Sequence, residues 1–480
     1  MQFNSYIFVL LFLPLTVGGY YGVRRALGSR AGNGFLAGAS LLYYLYAGWE
    51  CFCILLLSLM VNYKMALKIR RTGKRFWLSF GILFNTGVLL YFKYANFFIL
   101  NLNQMTGRGY RLRDIVLPLG ISFITFQQIA YLVNVYRKTL PRHGFWDYLL
   151  FVVYFPKLVM GPLTEPKVFF EEIQRKKRSV NYQMIEQGIR MFNLGLFKKL
   201  IFADTFAKAA DWGFLHYDYA TSMDLILAML AYTFQIYFDF SGYSDMAIGI
   251  SKMFDIQLPM NFDSPYKAYS IRDFWKRWHM SLTQFLTKYI YFPLGGNRRG
   301  ALRTYLNMII VFLVSGFWHG ANWTFILWGA LHGLLSALER AFGDSLKKVH
   351  QGFRWLVTFL ITNVLWLLFR AESITQWRDI LDRILKFGNT AVSTAFMRNF
   401  ELPECPQIYD FLNLTQMHDD VRGLSMRLFF IIAFLICMLA ENTYKRKYKT
   451  TVITMAGSAA IFLWALVSLG SESSFVYFGF

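Results

Sequence analysis

Long unbroken apolar blocks dominate the chain, at residues 6–21, 76–92 and 450–469 among others, and short stretches rich in Lys and Arg separate them. A hydrocarbon core of about 30 Å takes roughly 20 such residues as helix. Inside lipid the backbone must satisfy its own hydrogen bonds, so these blocks are helical. The pattern predicts an all-α, polytopic membrane protein.

Followed along the chain, residues 6–23 form a first span, and Arg24, Arg25 and Arg30 after it place the N-terminus outside. The block has no basic leader and no small-residue cleavage site, so it reads as a retained span. Two short runs, 35–49 and 51–61, read as a tight hairpin returning to a basic stretch at 64–75. Residues 76–92 lead out, with Lys93 able to snorkel, and 115–136 lead back to Arg137 and Lys138. Pro156, Lys157, Gly161 and Pro162 interrupt 145–164, which reads as a broken or re-entrant segment. Further apolar runs are 191–206, 222–237, 355–368, 428–439 and 450–469, and 372–422 is the longest polar excursion, expected outside. The expectation is roughly eleven spans with at least one re-entrant element. Without a repeat or a flexible linker, residues 1–480 read as a single domain, with both termini extracytoplasmic.

Composition agrees with the pattern: 56% of residues are hydrophobic and 19% aromatic, which a soluble chain of this length rarely tolerates. The net charge of +22 comes from basic residues lying between apolar blocks. That distribution is a topology signal, and it argues against nucleic acid as a partner. The four cysteines have no metal or disulfide spacing, and no metal is expected.

The chemistry is concentrated between Phe238 and His332. Phe238-Asp239-Phe240-Ser241-Gly242-Tyr243-Ser244-Asp245 sets two carboxylates beside an apolar run. Such groups at membrane depth are costly, and they are either functional or bound in pockets that hold helices together. Arg272-Asp273-Phe274-Trp275-Lys276-Arg277-Trp278-His279 mixes cations with indoles and suits an interfacial helix, its tryptophans among headgroups. Tyr289-Ile290-Tyr291-Phe292-Pro293-Leu294-Gly295-Gly296 ends that helix, and Arg298 and Arg299 mark the cytoplasmic surface. In Ser315-Gly316-Phe317-Trp318-His319-Gly320-Ala321-Asn322-Trp323 the break lies between apolar halves of fourteen and fifteen residues. Each half makes about 21–22 Å of helix, which places His319 in a buried, Gly-bounded turn. A neutral buried imidazole is a good general base; the alternative is a hydrogen-bonded structural histidine. His332 fits helix packing better.

These motifs, with Pro118-Leu119-Gly120-Ile121-Ser122-Phe123 and Gly161-Pro162-Leu163, resemble the membrane-bound O-acyltransferase (MBOAT) family. The likeness is strongest to its AlgI/PatA-like bacterial branch of polysaccharide O-acetylation, and the motif-bearing core is about 115–335. The resemblance implies a bowl of helices around a central tunnel, with His319 catalytic and His279 lining the same tunnel. It implies an acetyl donor, acetyl-CoA, over the aminoacyl carrier of the related D-alanyl transfer proteins, and no bound cofactor. The acceptor it implies is an extracytoplasmic polysaccharide such as alginate or peptidoglycan. It further implies an esterase-like (SGNH-type) partner that finishes the transfer and a place in the bacterial cytoplasmic (inner) membrane. Lys276, Arg277, Trp278, Trp318, Asn322, Trp323 and Asp245 are candidates for donor binding or the tunnel wall, with Asn322 a donor to the oxyanion. The tail Phe475-Val476-Tyr477-Phe478-Gly479-Phe480 resembles the C-terminal motif of a small partner in D-alanylation, which makes Tyr477 a candidate acyl relay. An aromatic anchor is the simpler account of the tail. The reading from another class, a transporter, lacks the expected repeat symmetry.

Overall fold

The computed structural model describes residues 1–175, 180–402, 418–445, 451–470 and Phe475, and every regular element among them is a helix. Among the described residues, seven helices are long and apolar enough to cross a membrane: Ile7–Leu27, Trp49–Thr72, Arg75–Thr106, Ser222–Met253, Ala301–His319, Gln351–Arg370 and Asp420–Met438. Other apolar blocks fold into shorter pieces. The chain divides into two compact units, Met1–Phe192 with Ser244–Met260, and Asn193–Tyr243 with Asn261–Phe480. Each draws on separated stretches of sequence, so no linker announces the boundary.

In the first unit, α1 (Leu13–Leu27) and α2 (Ser29–Leu45) form a hairpin, and α3 (Trp49–Thr72) follows. The expected hairpin of two short runs is therefore wrong at its second arm. Residues 51–61 are the middle of a 24-residue helix that continues through the basic stretch to a left-handed Gly73. Long Lys and Arg stems cover helix surface while their heads reach water, so a basic run does not end a helix. Next come α4 (Arg75–Leu89), α5 (Ala95–Thr106) and α6 (Ile121–Tyr136). At the start of α6, Gly120 has φ +70°, and a Cβ there would lie 2.9 Å from the Leu158 carbonyl oxygen. The interrupted segment is broken as expected, into α7 (Phe145–Val153) and α8 (Phe155–Leu158). The unit also contains α9 (Pro166–Gln174) and most of α10 (Tyr182–Phe197).

The second unit carries α11 (Asp204–Leu215) and the first two-thirds of α12 (Ser222–Met253), an unbroken 32-residue helix. Its Asp239 carboxylate accepts from the buried Lys199 ammonium at 2.8 Å, and Asp204 does so at the same distance. Asp239 thus ties helices together, the simpler of the two expectations. Deleting one partner of such a buried pair costs about 3–5 kcal/mol. The short α13 (Ile271–Arg277) and α14 (Met280–Leu286) lead to a turn through Gly295, Gly296 and Gly300, all at positive φ.

A tight hairpin of α15 (Ala301–His319) and α16 (Trp323–Ala341) comes next. Its helices pack almost backbone to backbone. A Cβ on Gly316 would lie 2.3 Å from the Phe325 carbonyl oxygen, and one on Gly329 would lie 2.4 Å from that of Phe312. Small residues four apart, Gly329 and Gly333, permit this approach. At 19 residues each, both helices run about 28 Å, longer than the 21–22 Å expected. The charged flanks and the Trp-His turn were themselves helical. Then follow α17 (Gly343–Lys347), α18 (Gln351–Arg370), α19 (Ile374–Lys386), α20 (Thr394–Met397), α21 (His418–Met438) and α22 (Val452–Val467).

Candidate active site

Three side-chain oxygens build the approach to His279. Ser270 Oγ accepts from Asp273 N at 3.0 Å, and the Glu339 carboxylate accepts from Ile271 N at 2.6 Å and Arg272 N at 2.9 Å. These satisfy the otherwise unpaired donors that open α13. The helix stops after Arg277, because Trp278 is extended and His279 takes a left-handed conformation, φ +43° and ψ +52°. A left-handed backbone is uncommon for a residue with a Cβ, and it costs about 1–3 kcal/mol that the surroundings must supply. They do so through a paired strand of chain: Asp263 N donates to Arg277 O at 2.9 Å, and Met280 N donates to Asn261 O at 2.9 Å. The single interfacial helix expected here is thus two helices with a kink at the histidine.

The indoles are not among headgroups. Trp275 and Trp278 are buried, at 6% and 1% exposure. Trp275 Nε1 donates to His332 Nδ1 at 3.1 Å, and Trp278 stacks on Phe274 with centroids 5.6 Å apart. Once the indole N–H has an internal acceptor, burying the ring gains apolar contact without stranding a polar group.

His279 is fully buried, and its Nδ1 lies 3.1 Å from Asn261 Oδ1. Ser281 N and Ser281 Oγ also reach that oxygen, at 3.2 and 2.9 Å. A backbone N–H can only donate, so the Asn261 atom is the oxygen, and His279 Nδ1 must carry the proton. The Nε2 lone pair is then the basic end of the ring. The connection between α13 and α14 lies outside the seven candidate spans, and burial there pushes the His279 pKa down to about 3, so the ring is neutral.

His319 closes α15 and is 3% exposed. Three rings meet it edge-on or nearly so: Trp318 at 4.9 Å, Trp328 at 5.2 Å and Phe369 at 5.2 Å between centroids. Trp318 also faces His279, at 6.3 Å. The two histidines therefore share one indole, as the sequence reading expects of a common site. Phe240 closes the His279 side at 4.7 Å.

A cavity of about 300 Å³ is lined by Trp275, Leu286, Met308 and Phe312 and by Ser315, and neither histidine is among its lining residues. Ser315 is four residues before His319, on the same face of α15. Arg272, Lys276 and Arg340 supply its charge. Lys276 lines this cavity, whereas Arg277 pairs with Asp273 at 3.0 Å and does not. Asn322 Oδ1 accepts from Thr324 N at 3.1 Å, capping α16, and its amide nitrogen donates to Glu372 O at 2.8 Å. One of the two N–H groups of its amide is thereby committed to Glu372 O. Trp323 is 54% exposed. Asp245 is buried in the first unit. Tyr477 lies outside the described residues; two positions earlier, the buried Phe475 packs edge-on against Tyr243 at 5.1 Å, and Lys199 Nζ lies 4.6 Å from its ring centre.

Sequence reasoning missed Asn261, Trp328, Phe369, Ser315 and Arg272 as parts of the site. Arg272 and Ser315 stand inside the quoted motifs, and Trp328 follows in the same hairpin; only Asn261 and Phe369 enter from more distant segments.

Residues 72–371 match the model of the MBOAT, membrane-bound O-acyltransferase family. The chain belongs to that family. As a membrane-bound O-acyltransferase it is an acyl-transfer enzyme and a multi-pass membrane protein, and the matched stretch holds both histidines and the cavity. It is similar to a peptidoglycan O-acetyltransferase of Helicobacter pylori, 37% identical over all of this chain and 98% of the relative. It is also similar to a probable alginate O-acetylase AlgI of Pseudomonas aeruginosa, 40% identical over 82% of this chain and 76% of that one. A teichoic acid D-alanyltransferase of Streptococcus thermophilus is 29% identical over 45% of this chain and 55% of its own. The acetyl-transferring relatives cover this membrane-bound O-acyltransferase far more completely than the D-alanyl one does.

Proposed function

We propose that this enzyme takes an acetyl group from acetyl-CoA on the cytoplasmic side of the bacterial inner membrane and passes it to hydroxyls of an extracytoplasmic polysaccharide. The observation that carries the reading is the pair of buried histidines sharing Trp318, with a cation-rimmed cavity on α15. A polyanionic donor cannot cross lipid, so its phosphates stay with Arg272, Lys276 and Arg340 while the acetyl thioester reaches inward. His319 removes the proton of the accepting hydroxyl, whose oxygen attacks the thioester carbonyl carbon. The C–S bond breaks, and the proton leaves with the thiolate as free thiol. Neutral His279 presents Nε2 to the same space and orients the accepting hydroxyl.

The first acceptor in this scheme is Tyr477, by the likeness of the tail to the D-alanylation motif. An aryl ester passes its acyl group on readily, and an esterase-like SGNH-type partner then delivers it to the glycan. The docked Phe475 ring supports a tail held in place. Purified enzyme given acetyl-labelled acetyl-CoA tests both steps. Thioester turnover with label on Tyr477, lost in Tyr477→Phe, is the expected result. No turnover of acetyl-CoA would remove the donor, and turnover with no label on the tail would reduce it to an anchor.

A further inference from the structure

A second cavity, of about 470 Å³, opens between the end of α16, α17 and the first half of α18. Its apolar wall includes Leu338, Phe342, Phe353 and Val357, which are 44%, 59%, 60% and 37% exposed. Its cations are Arg272, Lys347 and Arg354. The one acid in the lining, Glu339, is committed to the backbone N–H groups of Ile271 and Arg272. Lys347 has a partner in Asp344, but both are largely exposed, and such pairs are worth little. The net character of the rim is cationic.

The cations and the apolar wall are separated along α18. Arg354 lies in the first turn of this candidate span, and Val357 and Ile361 follow on the same face. Seven residues of helix make about 10 Å, so a phosphate at Arg354 would have a hydrocarbon slot beneath it. A soluble phosphate compound would use the cations and leave the apolar wall uncovered. A zwitterionic lipid would cover the wall and gain little from the charge.

We propose that this cleft holds one anionic phospholipid, its phosphodiester on Arg354 and Arg272 and its chains along Phe353, Val357 and Leu338. Arg272 lines this cleft and the first cavity alike. The lipid therefore braces the start of α13, the helix that ends at His279. Lipid binding is read without turnover, so it stands or falls separately from the acetyl-transfer reading.

The experiment uses the full-length enzyme, purified in mild detergent and re-lipidated with phosphatidylcholine alone or with phosphatidylglycerol added. Native mass spectrometry then reads the retained lipid. Phosphatidylglycerol should be retained at least tenfold over phosphatidylcholine, and Arg354→Gln should lower that preference about tenfold while Arg354→Lys keeps most of it. If Arg354→Gln does not fold, salt serves instead: the wild-type preference should fall as ionic strength rises. Equal retention of the two lipids overturns the proposal. So do an unchanged preference in folded Arg354→Gln, a salt-independent preference, and displacement of the lipid by free CoA.

Discussion

His279 and His319 meet at one indole, yet they are held by opposite means. A strained, left-handed backbone presents His279, and an amide oxygen on a distant segment dictates its tautomer. His319 ends a regular helix, and three aromatic rings surround it. The first arrangement fixes which nitrogen is basic. The second shapes an apolar, water-poor space in which a proton transfer and a developing charge carry more weight than in water. A ring whose proton is fixed by its neighbour suits orientation of a substrate hydroxyl. One caged by aromatic rings suits the base.

The largest expected effect breaks the comparison at its apolar side. His319→Ala should lower acetyl transfer by about a thousandfold or more, the scale of losing a general base from a preorganised site. Removing a ring caged by Trp318, Trp328 and Phe369 should also cost about 2–4 kcal/mol of stability, so turnover is compared per folded, inserted enzyme. Near-normal turnover by well-folded His319→Ala would end its assignment as base.

A smaller effect is expected at the polar side. Asn261→Ala leaves the imidazole in place but frees its tautomer, and it also strands the donors of Ser281. Transfer should fall about ten- to a hundredfold, as for an outer partner that orients an active group. His279→Ala should be at least as severe. The pH dependence follows from burial. Folded His279 titrates near 3 and the unfolded ring near 6.5, so its contribution to stability is full above about 6.5 and lost as pH falls toward 3. Wild-type unfolding temperature should therefore drop below pH 6.5, more than it does in His279→Gln. Equal acid sensitivity in the two would show that the buried ring is not the group responsible.

The same contrast explains what could be seen from the sequence. The apolar blocks, the Trp-His-Gly turn and the Pro-Gly-Gly turn are local, and the helices and breaks they imply are present. Trp275 and Trp278 looked like interfacial residues because cations surround them. Their burial depends on His332 and Trp366, neither of which the local pattern can reveal. The basic stretch 64–75 was read as the end to which a short hairpin returns, whereas the helix runs on through it to Thr72 with its Lys and Arg at the surface. Asn261 sits 18 residues before the ring it orients, in a stretch with no motif at all.

The smallest expected effect concerns Asn322, which stands three residues after His319 and was expected to stabilise the oxyanion. Its oxygen caps α16 and its nitrogen is taken by Glu372 O. Loss of the cap costs about 1 kcal/mol, so Asn322→Ala should lower stability by that much and transfer only a few-fold through the loosened hairpin. Asn322→Ser decides between the roles, because a serine hydroxyl caps nearly as well but cannot reproduce the carboxamide N–H. With Asn322 as a cap, Asn322→Ser keeps wild-type stability and nearly all activity. With Asn322 as an oxyanion donor it would lose about a hundred- to a thousandfold in turnover. A stable but inactive Asn322→Ser would therefore mean that the second N–H of the amide serves the reaction while the first stays on Glu372 O.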